Sequence, residues 1–152
     1  MKSKNTDEQK VLDARFFCSY KGVLSVKLPI GKDAFSFGIL FIGNKVTDTA
    51  VIRHEYGHYV QLKQKGIGKY IKEVAFPSVL CYHLDKNNVL PYQYYGSPWE
   101  HEADLAGGVN RNAVLWPMYK ASSDPTCRSY IRKFTSDLLA GKIRRRFSSD
   151  RK

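Results

Sequence analysis

Two histidines and a glutamate stand at a spacing suited to binding and using a metal ion. His54 and His58 are four residues apart, and Glu55 directly follows the first. On a helix this spacing projects both imidazoles to one side, about one turn apart. Neutral imidazole is a good ligand for Zn²⁺, and two such ligands on one rigid helix begin a tetrahedral site. Glu55 lies on the same side, where a general base can take a proton from a zinc-bound water.

A catalytic zinc needs a third protein ligand and an open position for water. Glu100 is the candidate, because it begins the next well-signalled helix, and Asp104 one turn later can hold the ring N–H of a ligating histidine. Glu100 has a competing role as a capping-box residue bonded to the Ser97 amide. Glu102 and His101 are the alternative ligands.

The HExxH pattern has a plainer interpretation, since any long helix can produce it by accident. His54 and His58 would then be partly buried polar residues and Glu55 a surface charge. Two observations favour the metal. The match lies centrally on a convincing amphipathic helix, and it contains two of the four histidines in the chain.

The helix that carries the motif is predicted over residues 50–65. Capping residues precede it, Gly66 is placed to end it, and Lys63 and Lys65 lie in its last turn. Its inward stripe is predicted to contain Val51, Ile52, His54, Glu55, His58, Tyr59 and Leu62. Gly57 weakens the helix by about 1 kcal/mol relative to alanine, which close approach of a neighbouring helix or substrate would explain. An incidental glycine is the alternative.

The N-terminal third predicts β-structure. Three short runs are typical of strands, and in the last two the side chains alternate between two faces: residues 15–20, 23–28 and 35–42. Gly43-Asn44 then signals a turn. We expect a small antiparallel or mixed sheet. Further helices are predicted over residues 67–84, with an interruption near Pro77, from Ser97-Pro98 to about residue 112, and over residues 125–140. Strands followed by helices indicate an α+β fold.

Domain organisation is expected to be simple. The 152 residues predict one domain, with residues 1–12 and 142–152 as flexible tails. No signal peptide or membrane-spanning stretch is recognisable, which predicts a cytoplasmic protein, although export by a non-classical route would leave the same sequence. Cys18, Cys81 and Cys127 are far apart and are interpreted as reduced thiols.

The net charge of +11 favours anionic partners. The excess is concentrated in a C-terminal cluster and in a second cluster of lysines: Lys142, Arg144, Arg145, Arg146, Arg151 and Lys152, and Lys63, Lys65, Lys69 and Lys72. The basic C-terminal tail could contact an anionic surface. A solvated tail and a solvated helix face are the simpler interpretation, because basic runs alone specify no partner.

The HEYGH sequence, followed by Glu100-His-Glu-Ala-Asp104, resembles the gluzincin clan of zinc metallopeptidases. In that clan a second helix supplies an ExxxD motif, often spelled ExxAD. The resemblance implies one zinc ion bound by His54, His58 and Glu100, with Glu55 as catalytic base and Asp104 supporting a ligand. The small size is most similar to minimal gluzincins, and the ExxAD spelling is similar to prenyl-protein endopeptidases, whose membrane spans this chain lacks.

The resemblance also implies a substrate site on the strand before the motif helix. An edge strand there would pair with an extended peptide, which points to Phe37, Gly38, Ile39 and Leu40. An ordinary core strand fits the same alternation. The donor that stabilises the transition-state oxyanion is not singled out; the candidates between the ligand helices are His83, Tyr92, Tyr94 and Tyr95.

The function expected from these residues is zinc-dependent hydrolysis of peptide bonds in a protein or peptide substrate. Two alternatives stay open. One is a basic nucleic-acid-binding module, although no named nucleic-acid motif is recognisable. The other is a metal-binding but inactive interaction protein. The oligomeric state is not predicted.

Overall fold

The computed structural model describes residues 6–88, 90 and 92–116. Its elements are α1 (Asp7–Asp13), β1 (Phe17–Tyr20), β2 (Val23–Leu28), β3 (Ala34–Ser36), β4 (Leu40–Gly43), α2 (Thr49–Lys65), α3 (Ile67–Tyr70), a π-helical turn (Ile71–Ala75), α4 (Phe76–Lys86), a 3₁₀ turn (Tyr94–Gly96) and α5 (Pro98–Gly107). A sheet near the N-terminus followed by helices confirms the α+β class. The predicted helix over residues 125–140, the basic C-terminal tail and Cys127 lie outside the described residues.

The described chain falls into two compact units. One contains the residues up to Lys65 together with Glu102–Asn110, and the other contains Gly66–His101 with residues 111–116. Within the described ranges, no helix combines the length and apolar character that crossing a membrane requires.

The strands of the first unit form one mixed sheet in the order β1-β2-β4-β3. β1 and β2 are antiparallel and are joined by Lys21 and Gly22, whose φ angles of 48° and 79° suit a type I′ hairpin turn. β2 pairs with β4 in parallel, and β3 pairs with β4 antiparallel. The mixed sheet agrees with the sequence expectation.

The run expected as the third strand is a hairpin instead. The Phe37 N–H donates to the Ile39 carbonyl at 3.1 Å, and Gly38 between them has a φ of 73°. That left-handed conformation, which glycine adopts without a steric penalty, reverses the chain between β3 and β4. β3 therefore forms an edge of the sheet, whereas Leu40 lies on the internal strand β4 and is fully buried.

The described part of the expected N-terminal tail forms helix α1. The Thr6 hydroxyl accepts from the Gln9 amide at 3.3 Å and caps α1. Val11 is buried in the core, and the Tyr20 hydroxyl donates to Glu8 at 2.8 Å. A polar seven-residue helix with one buried apolar side chain leaves almost no periodic signal in the sequence.

α2 packs against the β3–β4 hairpin and α1. The carboxylate of Asp48 accepts from the Ala50 amide at 2.8 Å, which confirms the predicted helix start. The core of this unit consists of Val11, Tyr20, Val23, Leu40, Ile42, Val46 and Ile52. Its buried apolar residues come from both sheet and helices, so the sheet fixes the position of α2.

In the second unit, α3 continues through the π-helical turn into α4. The interruption predicted near Pro77 lies just before it, at Ile71–Ala75. Pro77 itself sits in the first turn of α4, where a missing N–H is tolerated. Trp99 and Trp116 pack edge to face with ring centroids 5.3 Å apart, and Trp116 donates its indole N–H to the Gln93 carbonyl.

α5 ends at Gly107, five residues before the predicted end. Gly108 has a φ of 71°, its amide donates to the Leu105 carbonyl, and the Val109 amide donates to the Asp104 carbonyl. These bonds form a Schellman motif, which terminates the helix. The Gly107-Gly108 pair in the sequence is a stop signal, and the predicted helix runs past it.

Candidate metal centre

α2 and α5 approach each other backbone to backbone at two glycines. A Cβ added to Gly57 would lie 1.9 Å from the Ala103 carbonyl oxygen, and one added to Gly107 would lie 2.0 Å from the Arg53 carbonyl oxygen. Any side chain there would force the helices apart. Close approach of a neighbouring helix is therefore the reason for Gly57, one of the two reasons that the sequence suggested.

The close approach brings His54 and Asp104 into contact. Nδ1 of His54 lies 2.7 Å from Oδ1 of Asp104, and both residues are buried. A carboxylate accepts from the ring N–H, so Nδ1 is engaged by Asp104 and Nε2 is the nitrogen left to face a metal ion. This is the supporting role expected of Asp104, since such a bond fixes the tautomer and orientation of a metal-binding histidine.

His58 has a different partner, which the sequence analysis missed. Nδ1 of His58 lies 2.8 Å from Oε1 of Gln61, and the Gln61 amide donates to Glu102 at 3.3 Å. Lys65 lies 3.7 Å from the same Glu102 oxygen. Because an amide oxygen only accepts, the Nδ1–H of His58 is engaged by Gln61 and Nε2 is the nitrogen left to face a metal ion. The available signal was Gln61 at i+3 from His58, a polar residue on the face predicted to be buried.

Glu100 is fully buried at the start of α5. Its Oε1 accepts from the Tyr94 hydroxyl at 2.9 Å, and that hydroxyl also lies 2.8 Å from the Ser78 hydroxyl. Burial and the neighbouring Glu100 carboxylate raise the pKa of Tyr94 well above its ordinary value, so Tyr94 stays a protonated donor. The Ser97 amide, which a capping box would direct to Glu100, donates to the Tyr94 carbonyl at 3.1 Å.

His54, His58 and Glu100 can hold a metal ion. One ligand atom from each residue lies within 4.8 Å of the other two, and all three residues are buried. The two imidazoles meet edge to face with ring centroids 4.7 Å apart. Two imidazole nitrogens and a carboxylate oxygen this close together are a donor set that can bind a cation. The geometry does not by itself identify the metal.

The other predicted site residues have varied positions. Glu55 is buried on α2, next to His54. Glu102 and His101 are not in the metal-binding group. Of the oxyanion candidates, Tyr94 donates a hydrogen bond to Glu100, and the ring of Tyr92 packs near that of Trp116.

Comparison of the chain with protein-family models, curated proteins and solved structures gives no match. The functional argument therefore rests on the metal-binding residues and their supporting contacts.

Proposed function

We propose that this chain is a zinc-dependent metalloendopeptidase of the gluzincin type. The observation that carries the proposal is the buried group of His54, His58 and Glu100, with the second nitrogen of each histidine already bonded to an acceptor. Accidental HExxH matches have no reason to acquire a third ligand or a partner for both rings. Glu55 beside this group supplies a candidate base.

Zinc is the proposed metal because two imidazole nitrogens and one carboxylate oxygen are the ligands of a known class of catalytic zinc site. The donor set leaves a fourth position for water or substrate. Harder cations such as Mg²⁺ and Ca²⁺ prefer all-oxygen surroundings, which the two histidines do not offer.

The bound metal would lower the pKa of a water molecule and polarise the scissile carbonyl group. The remaining steps belong to the side chains of the chain itself. Glu55 takes the proton from the attacking water and then delivers it to the leaving amine nitrogen. Asp104 and Gln61 keep the Nδ1–H groups of the histidines engaged, which prevents the rings from turning away. Tyr94 holds the Glu100 carboxylate in place.

The proposed peptide-binding element is the edge of the sheet formed by β3 and the following turn. β3 packs against α2, the helix that carries both histidines. An extended peptide added to β3 would run past that helix, and main-chain pairing makes such recognition tolerant of sequence. Phe37, Gly38 and Ile39 form the turn at the end of β3. Leu40 is less suited to contact a peptide, since both neighbours of β4 are strands of the sheet.

The decisive test is Glu55→Gln, with Glu73→Gln as a matched control in the other unit. The full chain is loaded with Zn²⁺, its metal content is measured by elemental analysis, and cleavage of an unfolded protein such as reduced casein is followed. Removal of a general base lowers such rates by about 10²–10⁴-fold. We expect Glu55→Gln to keep one zinc per chain and lose cleavage, while Glu73→Gln keeps both.

Two results would contradict the proposal. Full cleavage by Glu55→Gln would exclude the mechanism. One tightly bound zinc in the wild type with no cleavage of any unfolded protein would identify a metal-binding interaction protein instead. Loss of zinc in His54→Ala and in Glu100→Ala separates failure of the metal site from failure of the catalytic assignment.

A further inference from the structure

Large apolar side chains are exposed along the helical segment from α3 to α4. The exposed fractions are 62% for Ile67, 44% for Ile71, 60% for Phe76 and 58% for Val79. The opposite side of the segment is buried, with Tyr70, Val74 and Cys81 all at or below 3% exposure. The segment therefore has a core face and a second apolar face, which we call the outer stripe: Ile67, Ile71, Phe76 and Val79.

The π-helical turn brings the outer stripe onto one side of the segment. In an uninterrupted α-helix each residue advances by about 100°, so Phe76 would lie about 140° from Ile71. The π turn has more residues per turn than an α-helix, so each of its residues advances by less than 100°. Compared with an uninterrupted α-helix, the side chains after the π turn are therefore rotated back by most of one residue's advance. Phe76 and Val79 thereby come within about 50° of Ile71. The four apolar residues therefore form one aligned, solvent-exposed stripe and are not isolated exposed residues.

The charge around the outer stripe is positive. Within residues 66–86, Lys69, Lys72 and Lys86 outnumber Glu73 and Asp85, and the whole chain has a net charge of +11. Lys72 directly follows Ile71 and is exposed, and the side chain of Lys69 is 62% exposed. A partner for this surface has to accept apolar side chains and carry negative charge at the same time.

We propose that the outer stripe and its lysines dock this protein onto the surface of an anionic lipid bilayer. An apolar row flanked by lysines is the pattern of helices that lie in the plane of the membrane interface, where lysine stems extend toward the headgroups. A protein partner fits less well, because protein interfaces are poor in lysine and their energetic centres are rich in tryptophan, tyrosine and arginine. The stripe contains one aromatic residue and none of those three.

The test is cosedimentation of the full chain with vesicles of phosphatidylcholine alone and of equimolar phosphatidylcholine and phosphatidylglycerol. We expect binding to the anionic vesicles only. Phe76→Ser and Ile71→Ser should each weaken binding about tenfold, since each removes apolar surface from the interface. Phe17→Ser, which changes an equally exposed phenylalanine (73%) on β1, should leave binding unchanged.

The lysines are tested in the same assay. Lys69→Gln and Lys72→Gln should each weaken binding to the anionic vesicles about fivefold. Lys32→Gln and Lys45→Gln, at exposed positions of the first unit, are the matched controls. Circular dichroism of every variant confirms that the comparison is between folded proteins.

Several results would overturn the proposal. One is vesicle binding that survives Phe76→Ser and Ile71→Ser but is abolished by neutralising Arg144, Arg145 and Arg146, which would assign it to the basic tail alone. A second is a lipid-free dimer that Phe76→Ser converts to a monomer, since the stripe would then join two copies. A third is faster proteolysis after residue 116 in Phe76→Ser without lipid, which would make the chain's own C-terminal segment the occupant.

Discussion

In most proteins polar side chains are exposed and apolar side chains are buried. α2 and the segment from α3 to α4 depart from this pattern in opposite ways. α2 buries His54, Glu55, His58 and Gln61, whereas the following segment exposes its outer stripe of apolar residues. Buried polar groups are stable only when they are bonded, and the α2 histidines have their partners within the same unit. No hydrogen bond within the molecule can remove the cost of exposing apolar side chains to water. The buried polar groups of α2 are thus satisfied inside the molecule, whereas the exposed apolar residues suit a binding partner.

Glycine distinguishes the two regions most sharply. Gly57→Ala places a methyl group against the Ala103 carbonyl on α5, so we expect a loss of at least about 3 kcal/mol in the free energy of unfolding and loss of metal binding. Gly68→Ala on α3 meets no atom within 4 Å, so we expect a gain of up to about 1 kcal/mol from helix propensity. Urea denaturation of the two variants measures both effects.

The same substitution is thus expected to have opposite signs on two helices. Equal stability changes in both variants would show that the close contact between α2 and α5 does not exist in solution. A destabilised Gly57→Ala protein that still binds zinc with unchanged affinity would separate the helix contact from the metal site.

The metal-binding residues and the support from Asp104 were more predictable from the sequence than the supports from Gln61 and Tyr94. His54, His58, Glu100 and Asp104 are encoded by short-range spacings on two strongly signalled helices, and the structure brings them together as expected. The sequence offers Tyr94 only as one of several oxyanion donors, and its bond to Glu100 is not predictable because it depends on how the loop after α4 folds. Spacing reports which residues share a helix face, but not which side chain fills the remaining hydrogen-bond positions.

The fold was predictable to a similar degree. The α+β class and α2 follow from periodicity. The hairpin of β3 and β4 was missed because strict alternation continues across Gly38, whose positive φ is a property of the folded backbone. The π turn was missed because Ile71–Ala75 contains no residue that demands it. The sequence predicts too long a helix α5, because no proline follows its glycine stop until Pro117.

The two histidine supports differ in charge, and their removal should show it. Asp104→Asn removes a carboxylate from the His54 ring and should weaken Zn²⁺ binding about 10–100-fold. Gln61→Leu removes a neutral acceptor from His58, and we expect a smaller loss of about tenfold or less. Competition with a zinc chelator measures both affinities. Gln64→Leu, an exposed glutamine on the same helix, is the control.

A larger loss of Zn²⁺ affinity in Gln61→Leu than in Asp104→Asn would reverse the expected order. It would show that the chain from His58 through Gln61 to Glu102 and Lys65 contributes more than the single carboxylate. No loss in either variant would contradict the assignment of both residues as supports of the metal ligands.

Valine offers a matched pair within the α3–α4 segment. Val74 is 1% exposed and Val79 is 58% exposed, so the two lie on the core face and the outer stripe. Val74→Ala should lower the free energy of unfolding by about 1.5 kcal/mol, because it removes buried apolar surface. Val79→Ala should change it by less than about 0.5 kcal/mol. A thermal denaturation series in the absence of lipid measures the difference; a large loss in Val79→Ala would show that the outer stripe is already covered.

The smallest expected effect belongs to Tyr94, which contacts both α4 and the start of α5. The Tyr94 hydroxyl contacts Ser78 on α4 and donates to Glu100 on α5. Tyr94→Phe removes that donor from a buried carboxylate, which is worth about 1 kcal/mol, so Zn²⁺ affinity should fall about fivefold. Tyr92→Phe, on the same loop, should leave the affinity unchanged. Because the raised pKa keeps Tyr94 protonated across the neutral range, the fivefold ratio should be the same at pH 7 and pH 9. A ratio that disappears at the higher pH would mean that the hydroxyl has ionised and no longer donates to Glu100.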